Sequence, residues 1–585
     1  MTRRASAQDA PKPVEGRAAA LILDAFLDYN ARFSDITRRA QRRFERRDWK
    51  HARRDTVARI DLYHGCVNET LGRLELLLDE RVRSRPLWSQ IRGEYETLVA
   101  PLLDSELTKT FFNTLSRRFF NTRGVAPDIE FVALDIEPTA SIDAPVARHC
   151  YAVKEDLAAI CEQMLDDFPF ANGYADAPRC ARSIASCLHE RAQRADIVPI
   201  VAIELLRTVF FRERRAYLVG RISGAQASAP LVIALVTTPA GVRADAVLSE
   251  VDHVSLLFGY TRSYFHADLP TIGDTVVFLQ ELLPHRPIDE LYTVLGRAKQ
   301  GKTERYRHLF RHLAAHPDEQ LVEADGERGM VMAVFTPKSY PLVFKVIRDR
   351  FAYPKDIARR EVEERYRMVF HYDRIGRLVD AQEFRDLRFP LAQIDPELLQ
   401  HLLAECAETI SVEDTGDEGG YMLVKHCYVE RRLRPMNLYV REVPIEAATS
   451  AVLDYGQAIK DLARSNIFPG DLLLKNFGIS RRGRAIFYDY DELCLVEHCR
   501  FRELPEPSED QEMRPLDEWL TVRDGDVFPE QFSRFLGLPA ALRQALIDAH
   551  GEIFSAQWWR DLQARWAGGG RDDVVPYPAA TRLPE

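Results

Sequence analysis

The stretch "GDLLLKNFGISRRGRAIFYDYD", residues 470–491, sets three polar side chains at fixed intervals among apolar runs. Asp471 and Asn476 stand five apart, and Asp489 follows 18 residues after Asp471, at the end of the apolar strand "AIFY". Singly, each has an ordinary explanation: Asp471 and Asn476 as loop residues, Asp489 as a strand cap. Together they match what phosphoryl transfer requires, a proton-accepting carboxylate and a metal-binding amide on one loop, with a metal-binding carboxylate facing them. That requirement directs attention upstream, to the parts such a site also needs.

The segment "ADGERGMV" (324–331) fits G-x-G-x-x-G-x-V when Ala324 takes the first glycine position, with Gly326, Gly329 and Val331 in place. Small residues there let backbone N–H groups approach a polyphosphate, although a hairpin turn uses the same residues. Lys345 in "LVFKVI" follows 16 residues after Gly329 on a strand of apolar neighbours. An ammonium in that setting is costly without an anion. The next helix offers Glu361, Glu363 and Glu364 as its pairing acid, and the sequence does not choose among them. Departures from the protein-kinase pattern are plain. Pro469-Gly470 replaces His-Arg before the Asp, Lys475 lies four residues after Asp471 instead of two, D-F-G becomes Asp489-Tyr490-Asp491, and A-P-E is absent. The expectation is a divergent kinase core.

A rival phosphate site is "GRAKQGKT" (296–303), which satisfies G-x-x-x-x-G-K-[ST] letter for letter. Its intervening residues Arg297, Ala298, Lys299 and Gln300 include three long side chains and no glycine. Ile288, Leu291, Tyr292 and Leu295 before it, and Tyr306, Leu309, Phe310 and Leu313 after it, follow helical spacing. Helix, glycine break, helix is the simpler expectation.

At 585 residues the chain exceeds one domain. Its 46% hydrophobic and 29% charged residues are globular proportions. The longest apolar runs are too short to span a bilayer. Nine scattered cysteines without a C-x-x-C spacing indicate neither a disulfide framework nor a zinc site. The expected setting is a reducing cytoplasm, away from membranes. A net charge of −10 disfavours nucleic acid, and the basic run 38–54 reads as a positive helical stripe, either solvated or docking an acidic partner.

The expected fold class is α+β. A flexible leader occupies 1–16, a mostly helical regulatory domain with a small sheet 17–315, and a bilobal kinase-like domain 316–585. Its N-lobe spans about 316–445 and its C-lobe about 446–570. Strands are expected at 128–137, 209–222, 230–236, 254–265, 421–433 and 437–443, and a charged helix over 354–378.

The segments "LGRAKQGKTERYRHL", "ADGERGM", "VFKVIRDRF", "VDAQEF", "CYVERRLRP" and "DLLLKNFG…FYDYDE" make the whole chain resemble the isocitrate dehydrogenase kinase/phosphatases, bifunctional bacterial regulators of the glyoxylate bypass. The resemblance implies phosphorylation and dephosphorylation of a serine in NADP-dependent isocitrate dehydrogenase. It also implies ATP and Mg²⁺, an ATPase activity, and a regulatory domain that answers to AMP. By the same resemblance Ala324, Asp325, Gly326, Glu327, Arg328, Gly329 and Met330, with Lys345, belong to the ATP site. Asp380 belongs to the active site and to dephosphorylation, Asp471 to catalysis, and Asn476 and Asp489 to the metal. Without the resemblance Asp380 is equally a helix cap. A homodimer is left open. Three other readings stand beside this one: a P-loop ATPase using Gly301, Lys302 and Thr303, a pseudokinase scaffold, and a kinase for small molecules.

Overall fold

The computed structural model describes residues 13–102, 105–132, 146–154, 156–195, 197–259, 264–353, 355, 357–372, 375–413, 419–505, 522–523, 525–568 and 573–584, with backbone alone at 370–372. The chain divides into two compact units, 1–315 with 577–585, and 316–576.

The first unit opens with four helices, α1 (Val14–Glu45), α2 (Trp49–Leu78), α3 (Arg85–Val99) and α4 (Ser105–Phe120). Their apolar stripes close on a common core that includes Trp88, Tyr95, Phe111 and Phe112. There follow β1 (Arg148–Ala152), α5 (Leu157–Asp166), α6 (Ala177–Arg194), β2 (Ala202–Leu206), β3 (Phe210–Arg212), β4 (Arg215–Ser223), β5 (Ser228–Thr238) and β6 (Gly241–Leu248). The strands form one antiparallel sheet in the order β1-β2-β4-β5-β6, with β3 pairing β4. Successive side chains point to opposite faces. Leu218 and Ile233 therefore pack toward α5 and α6, whereas Tyr217, Val219 and Val232 pack toward the helices that come next. These are α7 (Val251–Leu257), α8 (Ile272–Leu282), α9 (Ile288–Val294) and α10 (Ala298–Ala315).

Several expectations are corrected here. Helix α1 begins at Val14, inside the segment expected as a leader, and residues 1–12 lie outside the described residues. The expected strand at 128–137 is turn and coil over 128–132, and its remainder lies outside the described residues. The run expected as a strand at 254–265 starts inside α7, because Val254 and Leu257 recur at helical spacing on a buried face. The basic run 38–54 is bent by the turn at Arg46-Arg47 between α1 and α2 and is not one straight stripe. Arg38 pairs with Asp268 at 2.7 Å and Arg43 with Asp48 at 2.9 Å and Asp55 at 3.1 Å. The tail also moves. Residues 577–585 were expected with the catalytic half, yet the Tyr577 hydroxyl donates to Asp245 and accepts from Arg215 Nε at 2.8 Å, and Leu583 N donates to Asp245 O at 2.8 Å. The buried Asp245 recruits the last nine residues to the first unit.

The second unit begins with β7 (Leu321–Glu323), β8 (Met332–Pro337) and β9 (Leu342–Ile347), a meander joined by the glycine segment and by the turn 338–341. Helix α11 (Arg359–Tyr372) is shorter than the expected 354–378. Then come β10 (Gln382–Pro390), α12 (Pro396–Glu405), β11 (Ile410–Glu413) and β12 (Tyr421–Arg431). The sheet runs β10-β12-β9-β8-β7 with β11 on β12, all antiparallel. After β13 (Arg434–Pro435), the stretch "NLYVREV" expected as a strand is instead helix α13 (Met436–Glu442). Pro435 at its N-cap and Pro444 beyond its end bound one helical turn pair, and Met436, Tyr439, Val440 and Val443 pack on the core. The long helix α14 (Ile445–Arg464) follows, then β14 (Ile467–Phe468), β15 (Phe477–Ile479), β16 (Ala485–Phe487) and β17 (Cys494–Leu495). Helices Ala540–His550 and Ala556–Ala567 complete the unit.

One buried ion cluster holds the segments that bear the site. Arg377, 3% exposed, donates to Asp461 on α14 at 2.9 Å, to Asp454 on α14 at 2.7 Å, and to Ala485 O at 3.1 Å. Asp454 in turn accepts from Ala485 N at 2.7 Å. Removing the guanidinium strands two carboxylates, so Arg377→Met is expected to destabilise the second unit by about 3–5 kcal/mol. Denaturant unfolding of the full chain, followed by a probe in that unit, checks this.

Candidate active site

The glycine segment leaves β7 with Ala324 N donating to Val334 O at 3.0 Å. Gly326 has φ +116°, a conformation that favours glycine, and a Cβ there would press on Pro435 at 3.3 Å. Gly329 O accepts from Arg348 Nε at 3.1 Å, and Val331 is buried beneath the turn. The exposed charges of the segment are engaged: Asp325 with Arg434 at 2.6 Å, Arg328 with Glu323 at 2.7 Å, and Glu327 with Lys475 at 3.1 Å. Met330 is exposed. Glu327 thereby links the glycine segment to the loop that carries Asp471.

Lys345 on β9 is 6% exposed, and its Nζ lies 2.8 Å from Glu430 Oε2 and 2.6 Å from Tyr488 O. Its acid therefore comes from the neighbouring strand. Lys345 is in register with Tyr428 on β12, and Glu430, two residues on, shares that face. Glu361, Glu363 and Glu364, the acids expected from the helix, are used elsewhere: Glu361 accepts from Ala358 N, Glu363 pairs with Arg367 and Glu364 with Arg360.

The catalytic-type loop starts at Gly470, whose φ of +84° and contact with the Glu492 carbonyl leave no room for a side chain. Asp471 Oδ1 accepts from Leu473 N at 2.8 Å, which turns the chain so that Asn476 Nδ2 comes back to Asp471 O at 3.4 Å. Tyr455 on α14 donates to Leu472 O at 2.5 Å, and Tyr488 to Lys475 O. Burial raises the Asp471 carboxyl above its ordinary value. Tyr488 N donates to Asn476 O at 3.1 Å, so Asn476 lies alongside the strand end that delivers Asp489.

Asp489 is raised well above its ordinary value, first by burial and then by its neighbour Asp491. Asp491, despite burial, is held below its ordinary value by the hydrogen bond from Asp489 and by Lys355 at 3.0 Å. Tyr490 between them is fully buried. It stands edge-on to Tyr366 of α11 with centroids 5.0 Å apart, and Tyr366 stacks on Tyr428 at 3.8 Å. Its hydroxyl donates to Val379 O at 2.6 Å. That bond, with Val379 N on Phe487 O at 3.1 Å, ties Asp380 to the Asp489 segment. Asp380 is buried at the entry to β10, where Gln382 Nε2 donates to it at 3.1 Å, and it does not cap a helix.

The donors suit a divalent cation. Two neighbouring carboxylates in a buried place, with an amide on the adjoining loop, are an incomplete oxygen set that phosphate oxygens would complete. Among the described residues no cluster of three or more His, Cys, Asp or Glu could hold a metal unaided.

The rival stretch 296–303 has a structural explanation. Gly296, at φ +85°, lies against Arg59 and Phe33, and Arg59 and Arg297 stand 4.3 and 3.9 Å from the Phe33 ring. Gly301 is inside α10, where its missing side chain lets α9 approach through Asp289 O and Thr293. No loop cradles a phosphate. Lys302→Ala is expected to leave ATP affinity unchanged while Lys345→Ala removes it, as measured by titration calorimetry.

Residues 19–318 match the regulatory domain and 319–579 the kinase domain of isocitrate dehydrogenase kinase/phosphatase (AceK). The chain belongs to this family. A relative named isocitrate dehydrogenase kinase/phosphatase from Xanthomonas campestris pv. campestris (strain 8004) is 54% identical over 98% of this chain and 99% of its own length. One of the same name from Anaeromyxobacter sp. (strain Fw109-5) is 44% identical over 98% and 99%. As a kinase-domain family member the chain uses ATP. No described helix is long and apolar enough to cross a membrane. Sequence reasoning did not single out Glu430 as the acid beside Lys345, nor Asp491 as the neighbour that acts on Asp489. Glu430, a lone acid on the apolar strand "YVE", carried the same signal that flagged Lys345.

Proposed function

We propose that this protein phosphorylates a serine of NADP-dependent isocitrate dehydrogenase and removes that phosphate again, so setting flux between the citric acid cycle and the glyoxylate bypass. The observation that carries the reading is the convergence of Lys345–Glu430 and the Asp471–Asn476 loop on the Tyr488 backbone, beside Asp489 in the second unit. Backbone N–H groups of 324–330 cover the phosphates of ATP, and Lys345, held by Glu430, orients them. Asp471 accepts the seryl proton as its oxygen attacks the γ-phosphorus. Asn476 and Asp489 would hold Mg²⁺, which supplies neutralisation of charge across the β- and γ-phosphates. Lys475 turns from Glu327 to the transferring phosphoryl group. The site is cytoplasmic, and AMP acts through the first unit.

Dephosphorylation is assigned to the same group of residues, with Asp380 positioning a water against the phosphoserine. The tie from Tyr490 to Val379 supports this, because it holds the residue before Asp380 against the residue after Asp489. Asp380→Asn is expected to lose release of phosphate while keeping most of the kinase rate, and equal loss of both would refute the assignment. The decisive test combines purified protein, γ-labelled Mg-ATP and purified dehydrogenase. Label enters the dehydrogenase as its activity falls, then leaves when ATP is replaced by ADP and AMP. Hydrolysis of ATP without labelling would mean a different substrate.

A further inference from the structure

Of the nine cysteines, Cys494 and Cys499 are brought to an Sγ···Sγ distance of 3.6 Å. Cys494 lies on β17 and is partly exposed, whereas Cys499, after a single tight turn, is 6% exposed. The turn is held rigidly. Cys499 N donates to Val496 O at 3.1 Å, and Gln563 Nε2 donates to Val496 O at 2.7 Å and Cys499 O at 2.8 Å. We propose that Cys494 and Cys499 form a dithiol site that a low-molecular-weight disulfide oxidises reversibly to an internal disulfide, slowing phosphoryl transfer.

The two thiols are chemically unequal, as such a site needs. Cys494 is lowered by the hydrogen bond from Cys499 and, after burial, by the nearby Arg365 guanidinium, whose Nη1 is buried without a hydrogen-bond partner. The partly exposed member is thus the better nucleophile. Its thiolate attacks one sulfur of the oxidant and expels the other as a thiolate. Cys499 is raised first by its bond to Cys494, and that cause disappears once Cys494 is capped. Cys499 then yields its proton to the departing thiol and attacks Cys494 Sγ, expelling the second thiol. Two electrons and two protons pass from the protein to the oxidant, which leaves as two thiols.

The pair is mechanically coupled to the Asp471 loop. Cys494 is in register with Phe468 on β14, and Val496 N donates to Asn466 O at 3.2 Å. Strand β14 leads directly into Gly470 and Asp471, and Gly470 packs on Glu492, two residues before Cys494. Bonding draws the sulfurs to about 2.05 Å. The shift is transmitted to the Asp471 loop, where a displacement on the order of 1 Å costs roughly tenfold to a hundredfold in rate.

The test equilibrates the full chain in glutathione disulfide and glutathione mixtures, traps free thiols by alkylation, and maps the peptide containing 494–499. The expected product is that peptide lighter by two hydrogens, reversed by dithiothreitol, with a kinase rate reduced about tenfold. Cys499→Ser should retain a glutathione adduct on Cys494, and both Cys494→Ser and Cys499→Ser should keep the reduced rate and lose the tenfold response to oxidant. An adduct without internal bonding in the native chain, or no reaction at 494, overturns the site. A disulfide that leaves the rate unchanged overturns its coupling to transfer. The rate measurement rests on the proposed kinase activity, but the mapping does not, so a chain without kinase activity would still show whether the disulfide forms.

Discussion

Asp471→Asn is expected to lower phosphorylation of the dehydrogenase by about 10²–10⁴-fold, the range in which a positioned general base contributes. The loop geometry should survive, because the amide oxygen can still accept from Leu473 N, the bond that turns the chain toward Asn476. ATP affinity should therefore change little, and the loss should fall on kcat. The wild-type rate also carries a signature. Burial raises the Asp471 carboxyl, so the basic form is gained only as pH rises through that raised value. The acid limb of kcat/KM should accordingly lie above the ordinary aspartate value of 3.8 and vanish in the Asn variant. A variant retaining the wild-type rate would assign proton acceptance elsewhere.

Glu430→Gln should be nearly as damaging, with a different profile. Lys345 is buried and touches one carboxylate, Glu430, and one carbonyl, Tyr488 O. Replacing that carboxylate by an amide leaves a buried ammonium without its counter-charge, which costs on the order of 3–5 kcal/mol. The ammonium then loses its fixed position over the phosphates. Both KM for ATP and kcat should suffer, by roughly a hundredfold in kcat/KM if about 2.7 kcal/mol of that cost falls on the transition state. Glu361→Gln, Glu363→Gln and Glu364→Gln, whose partners lie on their own helix or next to it, should behave like wild type. Steady-state kinetics with ATP as the varied substrate separates the four variants. A collapse in one of the helix variants, with Glu430→Gln intact, would show that α11 supplies the acid once nucleotide is bound.

These two residues mark where sequence was readable and where it was not. Asp471, Asn476 and Asp489 lie within one stretch of chain, so their spacing already implied one loop and one strand end. Lys345 was visible as a cation in an apolar strand. Glu430 lies 85 residues from Lys345 in sequence, and only the β9–β12 register brings them to 2.8 Å. Asp491 was legible as a letter, but its pull on Asp489 depends on their shared burial.

The helix α13 and the helix α7 were misread for a related reason. Their aromatic and branched residues favour strands as a local composition, but the buried face each must present selects a helix, helped at α13 by Pro435 and Pro444 at its ends. The stretch 296–303 shows the converse. A letter-perfect phosphate motif is satisfied by helix packing, because the glycine is there to let α9 and α10 meet.

By itself, then, the sequence determined the α+β class, the meander with its glycine segment, and the loop that sets Asp471 near Asn476 and the strand end at Asp489, since each depends on periodicity or on residues close along the chain. Tertiary structure alone decided which acid serves Lys345, that Asp380 is tied to the Asp489 segment, that the final residues join the first unit through Asp245, and that two thiols meet at 3.6 Å beside the catalytic loop. For the first three the physical reason is common: a buried polar group acquires its partner through strand register and packing between elements distant in the chain, and local pattern does not encode that register. The two thiols meet because the turn after β17 brings Cys499 back onto Cys494.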